Sequence, residues 1–113
     1  MGRFVSGEVV VVPFPFSDLS GEKRRPAYVV ATLQGDDVIL CMITSQRRPG
    51  DNYSIPITTA DFATGALQHP SYVRPNRLFT ADTNIIVRSV GQLTEAKQAE
   101  VIQAIKDILD NSL

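Results

Sequence analysis

The hydrophobic period of this chain changes at Thr94, and that change constrains the fold more than any other feature. Beyond it Ala99, Ile102, Ile105, Ile108 and Leu109 recur at three- and four-residue steps, while Lys97, Glu100, Gln103, Lys106 and Asp110 take the other positions. This is the stripe of an amphipathic helix, with Thr94 as its N-cap and Gly91 ending the strand region before it. Ahead of Thr94 the apolar runs are short, β-branched and separated by turn residues. The chain therefore reads as strands first and one helix last.

Residues 9–12 are four valines, followed by Pro13 and Pro15, each of which removes a ladder donor and turns the strand into a loop. Residues 17–23 have the composition of a turn. Strands at 27–33 and 38–45, joined by Gly35-Asp36-Asp37, predict a hairpin. The polar, basic stretch 46–52 contains Pro49-Gly50 and predicts an exposed, mobile loop. Residues 53–58 read as an edge strand because Pro56 interrupts them, and short strands follow at 71–73, 78–81 and 85–90. Several short strands with a packing helix imply a small barrel-like sheet, since closure removes exposed edges.

With 113 residues, 43% hydrophobic and 20% charged, the chain suits a single domain spanning 1–113 whose one core folds without metals or disulfides. This composition excludes a disordered or low-complexity chain. No run approaches the roughly 20 apolar residues of a membrane span, and the N-terminus lacks the apolar region of a signal peptide, so the expected location is cytoplasmic, away from membranes. Cys41, the only cysteine, sits in the apolar run 38–43 and reads as a buried small hydrophobe. One cysteine and one histidine leave little to build a metal site from, and no dinucleotide, Walker A or G-x-S-x-G signature occurs. Neither a metal nor a cofactor is expected. His69, next to Pro70, reads as a loop histidine outside any site.

What stands out is basic charge in loops. Lys23, Arg24, Arg25, Arg47, Arg48, Arg74 and Arg77 are seven of the eleven Lys and Arg residues, whereas Glu95, Glu100, Asp107 and Asp110 gather on the terminal helix. A net charge of −1 thus hides a positive face suited to a polyanion and a negative back. Simple solvation of those arginines is the alternative that charge alone leaves open.

The segment 7–21, GEVVVVPFPFSDLSG, followed by Arg25-Pro26-Ala27-Tyr28-Val29-Val30, resembles the MazF/PemK (Kid) toxins of type II toxin-antitoxin systems. The resemblance continues through Ile43-Thr44-Ser45-Gln46, Ser71-Tyr72-Val73-Arg74-Pro75, Leu78-Phe79-Thr80-Ala81-Asp82 and Val90-Gly91-Gln92-Leu93, nearly the whole chain. It implies a mainly β fold with a C-terminal helix, the SH3-like small β-barrel of the MazF/PemK/CcdB plasmid maintenance toxins. It also implies a homodimer, a cognate antitoxin partner and metal-independent cleavage of single-stranded RNA, and leaves open whether DNA is bound through the antitoxin. In that family the catalytic residues are the Arg of the Arg-Pro segment and the Thr closing the third strand, here Arg25 and Thr44.

RNA cleavage by its own 2′-hydroxyl requires a proton acceptor, a proton donor to the leaving oxygen and stabilisation of the phosphorane charge. The fixed guanidinium fork of Arg25 suits the last task, and Pro26 holds its backbone extended. Thr44 offers a hydroxyl to the same phosphate, and Ser45 is placed to assist it. Two readings of Glu22 stand side by side: catalytic support, as in relatives with a longer loop, or a solvated partner of Lys23 or Arg24. Arg24, Gln46, Arg47, Arg48, Asn52, Arg74 and Arg77 are the candidates for RNA contact, through phosphate charge and base-edge hydrogen bonds. Phe14 and Phe16 either stack bases or pack inside. Two other functions remain in play: gyrase binding in the manner of the CcdB fold relatives, and an inactive member that only binds antitoxin.

Overall fold

The computed structural model describes residues 4–14 and 23–111. The valine run forms β1 (Glu8–Phe14), and it is apolar on both sides because both sides are covered. Val9 packs into one apolar layer, whereas Val10 and Val12 pack into a second on the opposite face of the sheet. The single core expected from chain length is thus two layers, one on each face.

The other strands are β2 (Lys23–Thr32), β3 (Asp37–Thr44), β4 (Ile55–Ile57), β5 (Phe62–Gly65), β6 (Ser71–Asp82) and β7 (Arg88–Leu93). They form one antiparallel sheet in the order β4-β6-β3-β2-β1-β7-β5, a half-barrel with β4 and β5 at its edges. The predicted β2–β3 hairpin and the edge position of β4 are present. The segments 71–73 and 78–81 merge into the single strand β6, because a bulge between the pairs Ile43↔Val73 and Cys41↔Leu78 absorbs the residues between them. Cys41 sits at this bulge, fully buried, and its thiol donates to the Arg74 carbonyl at 2.9 Å. Burial pushes that thiol up to about 12.

Two boundaries differ from the sequence reading. The predicted strand at 85–90 begins instead at Arg88, after a 3₁₀ turn at Thr83–Ile85, and runs through Gly91 to Leu93. β5 was not anticipated at all: its pairing to β7 depends on a close crossing of glycines, not on an apolar run. A Cβ on Gly65, whose φ is +71°, would lie 2.0 Å from the Val90 carbonyl oxygen and 2.6 Å from the Gly91 Cα.

The helix α1 (Glu95–Asp110) starts where predicted, with Thr94 Oγ1 accepting from the Lys97 amide at 3.2 Å. Its buried residues are Val101 and Ile105, while Ala99 and Leu109 face outward. Val101 and Ile105 join Ile55 and Ile57 of β4 and Leu93 of β7 in the first apolar layer, so the helix bridges opposite margins of the half-barrel. The Thr94 amide donating to Asp61 O at 2.8 Å and Lys97 Nζ donating to Pro56 O at 3.4 Å pin its first turn to the sheet.

Candidate active site

In the β2–β3 ladder Ala27 pairs with Met42 and Tyr28 with Cys41. Pro26 has no N–H to extend the ladder, which ends at Ala27↔Met42; Arg25 and Thr44 each lie two residues beyond that pair, Arg25 paired to Val12 of β1 and Thr44 to Tyr72 of β6. Arg25 continues the face of Ala27 and Val29, and Thr44 that of Leu40 and Met42, so strand alternation turns the two toward the same side. Both are half-buried. The Thr44 hydroxyl is held by its own loop: the Gln46 amide donates to Oγ1 and Oγ1 donates to the Gln46 carbonyl, each at 3.2 Å.

Beside these strand ends lies a cavity of about 630 Å³. Lys23, Arg24 and Arg25 of β2 and Arg88 of β7 line it. Among the described residues no carboxylate lines it, and none of these four cations makes an ion pair. Unneutralised like charges around one concavity favour an anion there. The apolar floor includes Val11, Ile43 and Val90, and the wall facing β2 is the segment 66–69 with Ser71. Arg24 and Ser45 alternate onto the cavity's side of the sheet with Val11 and Ile43, whereas Thr44 and Arg25 belong to the opposite face, and Arg25 borders the cavity at its margin.

The loop after Thr44 is exposed as expected, but it is built around one residue. Asp51 Oδ1 accepts from the amides of Tyr53 at 2.9 Å and Ser54 at 3.1 Å, and its own amide and carbonyl bond Arg48 O and Arg47 Nη2, both at 3.1 Å. The amide of Tyr53, then that of Ser54 and the charge of Arg74, hold its carboxyl below the usual carboxylate range against the opposing cost of burial. Asp51 Oδ2 faces Arg74 Nε at 3.5 Å, with the two side chains only 3% and 10% exposed. Arg74 therefore departs from the expected surface contact to RNA: it is a buried partner of Asp51, fastening the loop to β6.

The other expected residues divide as follows. Arg24, Arg25 and Ser45 share the cavity. Gln46, Arg47, Arg48 and Asn52 are exposed on the loop leaving Thr44, and Arg77 is exposed on the β6 bulge. Glu22 and Phe16 lie outside the described residues, as does the turn at 17–22. Sequence reasoning missed Arg88, Gln68 and Asp51, and it left out His69, which lines the cavity. A charged residue two before Val90 in an apolar strand was the available signal for Arg88; Gln68 and His69 carried none, because only folding brings their segment opposite β2. Among the described residues no three His, Cys, Asp or Glu side chains cluster as metal ligands. No helix there is long and apolar enough to cross a membrane.

These features define a mainly β half-barrel protein with a C-terminal helix and a cationic site at its strand ends. The family follows directly: a family model for the PemK-like, MazF-like toxins of type II toxin-antitoxin systems matches residues 6–109, and the chain belongs to that family. The fold is similar to that of an endoribonuclease from a mycobacterial species in complex with its cognate antitoxin, with 18% identity, a TM-score of 0.70 and coverage of 96% of this chain and 97% of that one. It is similar to MazE-MazF from Deinococcus radiodurans, with 19% identity, a TM-score of 0.72 and 96% of each chain covered. A mycobacterial endoribonuclease is similar at 21% identity and a TM-score of 0.68, over 97% of this chain and 94% of that one. Among curated protein sequences, none matches significantly.

Proposed function

We propose that this chain, as one domain over residues 1–113, is a toxin endoribonuclease that cleaves single-stranded RNA in the cytoplasm without a metal and is neutralised by a cognate antitoxin. The observation that supports the reading is the end of the β2–β3 ladder at Ala27↔Met42, which leaves Arg25 and Thr44 each two residues beyond it, beside a cavity walled by cations. The similar structures include an endoribonuclease and a MazF, each with its antitoxin.

In the reaction the 2′-oxygen bonds to phosphorus as its proton passes to solvent water, and the bond from phosphorus to the 5′-oxygen breaks as that oxygen takes a proton from solvent water. The products are a 2′,3′-cyclic phosphate and a 5′-hydroxyl. The Arg25 guanidinium donates to the non-bridging oxygens as their charge grows, in a half-buried position where such donors act more strongly than in water. The Thr44 hydroxyl keeps the Gln46 amide on one lone pair and swings its proton from the Gln46 carbonyl to the phosphate. An acidic antitoxin segment entering the same cationic surface of the homodimer competes with RNA by charge.

Purified protein incubated with a long single-stranded RNA and a chelator tests this. Cleavage at a recurring short sequence with cyclic-phosphate ends is expected, lowered about 10²- to 10³-fold by Arg25→Ala and more weakly by Thr44→Ala. Intact RNA, or cleavage unchanged in both variants, overturns the proposal.

A further inference from the structure

The wall of the cavity opposite β2 has no part in the reaction just described, yet it is a built surface. The Ala66 amide donates to Val90 O at 3.2 Å, and Ser71 Oγ donates to His69 O at 3.0 Å, so both ends of the segment are tied to sheet strands. Leu67 packs into the first apolar layer, which leaves Gln68 and His69 exposed at the cavity. Strand pairing sets Arg88 opposite Val11 of β1, and Val11 is itself part of the cavity floor.

We propose that this cavity is a nucleotide subsite, separate from the Arg25–Thr44 pair, that holds one residue of the single-stranded RNA next to the cut; the proposal deepens the endoribonuclease reading and rests on it. Arg24 and Arg88 take the phosphate of that residue. Its base lies over the apolar floor, stacked on the His69 ring, with its edge bonded to the Gln68 amide, which offers both a donor and acceptors.

Three observations favour this occupant. At about 630 Å³ the cavity falls in the range of small-molecule sites and far exceeds the needs of a bare phosphate or a carboxylate side chain. Its lining combines cations at the rim with an apolar floor, and a nucleotide carries an anion and a flat apolar face in one unit. The charged residues that line the cavity with His69 are Arg24 and Arg88, with Lys23 and Arg25 at its margin, and no acid among the described residues fills the place of an anion. A smaller cleft on the other side of His69 is lined by Thr58, Thr59 and Phe62 and adds no charge.

His69 is the only histidine of the chain, so its ring signals in an NMR spectrum are unambiguous. Titration of the whole protein with the four nucleoside 5′-monophosphates is expected to move those signals, one base more strongly than the others. Arg88→Ala should raise the dissociation constant roughly tenfold, the scale of one lost charge-assisted phosphate contact. In RNA cleavage, Gln68→Ala and His69→Ala should redistribute the bases found at one position beside the cut. Equal shifts with inorganic phosphate alone, or shifts with a polyglutamate peptide and none with nucleotides, overturn the subsite in favour of an anion site or a peptide site. A wild type that binds nucleotides at His69 without cutting RNA supports the subsite and removes the nuclease reading. A wild type that cuts RNA with His69 unmoved by nucleotides does the reverse.

Discussion

Replacing Asp51 by alanine should be the most damaging single change in the loop that follows Thr44. Its Oδ1 accepts two backbone amides and its Oδ2 faces the Arg74 guanidinium at 3.5 Å, so truncation loses two bonds to a charged acceptor and strands a nearly buried cation. Breaking a core ion pair costs about 3–5 kcal/mol. Here the loop's own backbone supplies much of the shielding, and the lower end, about 3 kcal/mol, is expected. For a domain of this size that is a fall in Tm of about 15 °C. Asp51→Asn keeps an oxygen for the two amides but turns an NH2 group toward the stranded Arg74, so it should cost about 2 kcal/mol, less than Asp51→Ala only by the amide bonds it retains. Adding Arg74→Met to Asp51→Ala should cost less than the sum of the two single changes, because no lone charge is left behind. The sign of the pH dependence follows from a carboxyl held below its usual range. Its contribution is complete above the unfolded pKa of about 3.9 and is lost as pH falls through the lower folded value, so Asp51→Asn should flatten the acid side of the stability curve. Urea unfolding measured from pH 2.5 to 7 reads all of this. A cost below about 1 kcal/mol for Asp51→Ala, or strict additivity with Arg74→Met, would refute the latch.

Three further outcomes are accessible. Arg88→Ala should weaken binding of a 2′-deoxy, uncleavable RNA and lower the slope of log K against log salt by about 0.7, the share of one phosphate contact on a single strand; an unchanged slope would remove Arg88 from the interface. Gly65→Ala should destabilise by about 3 kcal/mol or more, since its Cβ meets the Val90 carbonyl at a positive φ, and thermal melting checks it. Cys41, with its thiol pushed up to about 12 and no surface exposed, should resist an aromatic disulfide reagent at pH 8 until denaturant is added; rapid native labelling would contradict its burial.

The order of strands then helix, the hairpin of β2 and β3, the helix start at Thr94 and the edge position of β4 were legible in the sequence. Each rests on a local pattern: a two- or 3.6-residue period, a turn composition, a proline. The family was legible too, through Arg25-Pro26 and Thr44-Ser45-Gln46 in their spacing. Arg74 shows the limit of that kind of reading, because a guanidinium looks alike in sequence whether it faces solvent or a buried carboxylate. Asp51 looked like one more polar loop residue until its two amide bonds and its ion pair were visible.

By itself, then, the sequence determined most of the extended segments, the terminal helix, and which two residues stand where the family keeps its catalytic pair. Only tertiary structure decided the composition of the cavity, because it joins β2, β3, β7 and the segment 66–71, and strand register across a sheet sets which distant side chains share a wall. Local propensity acts over a few residues. The gathering of Arg24 and Arg88 around one cavity, or the meeting of Asp51 with Arg74, depends on how the sheet coils and where its bulges fall, and that is settled by the packing of the whole.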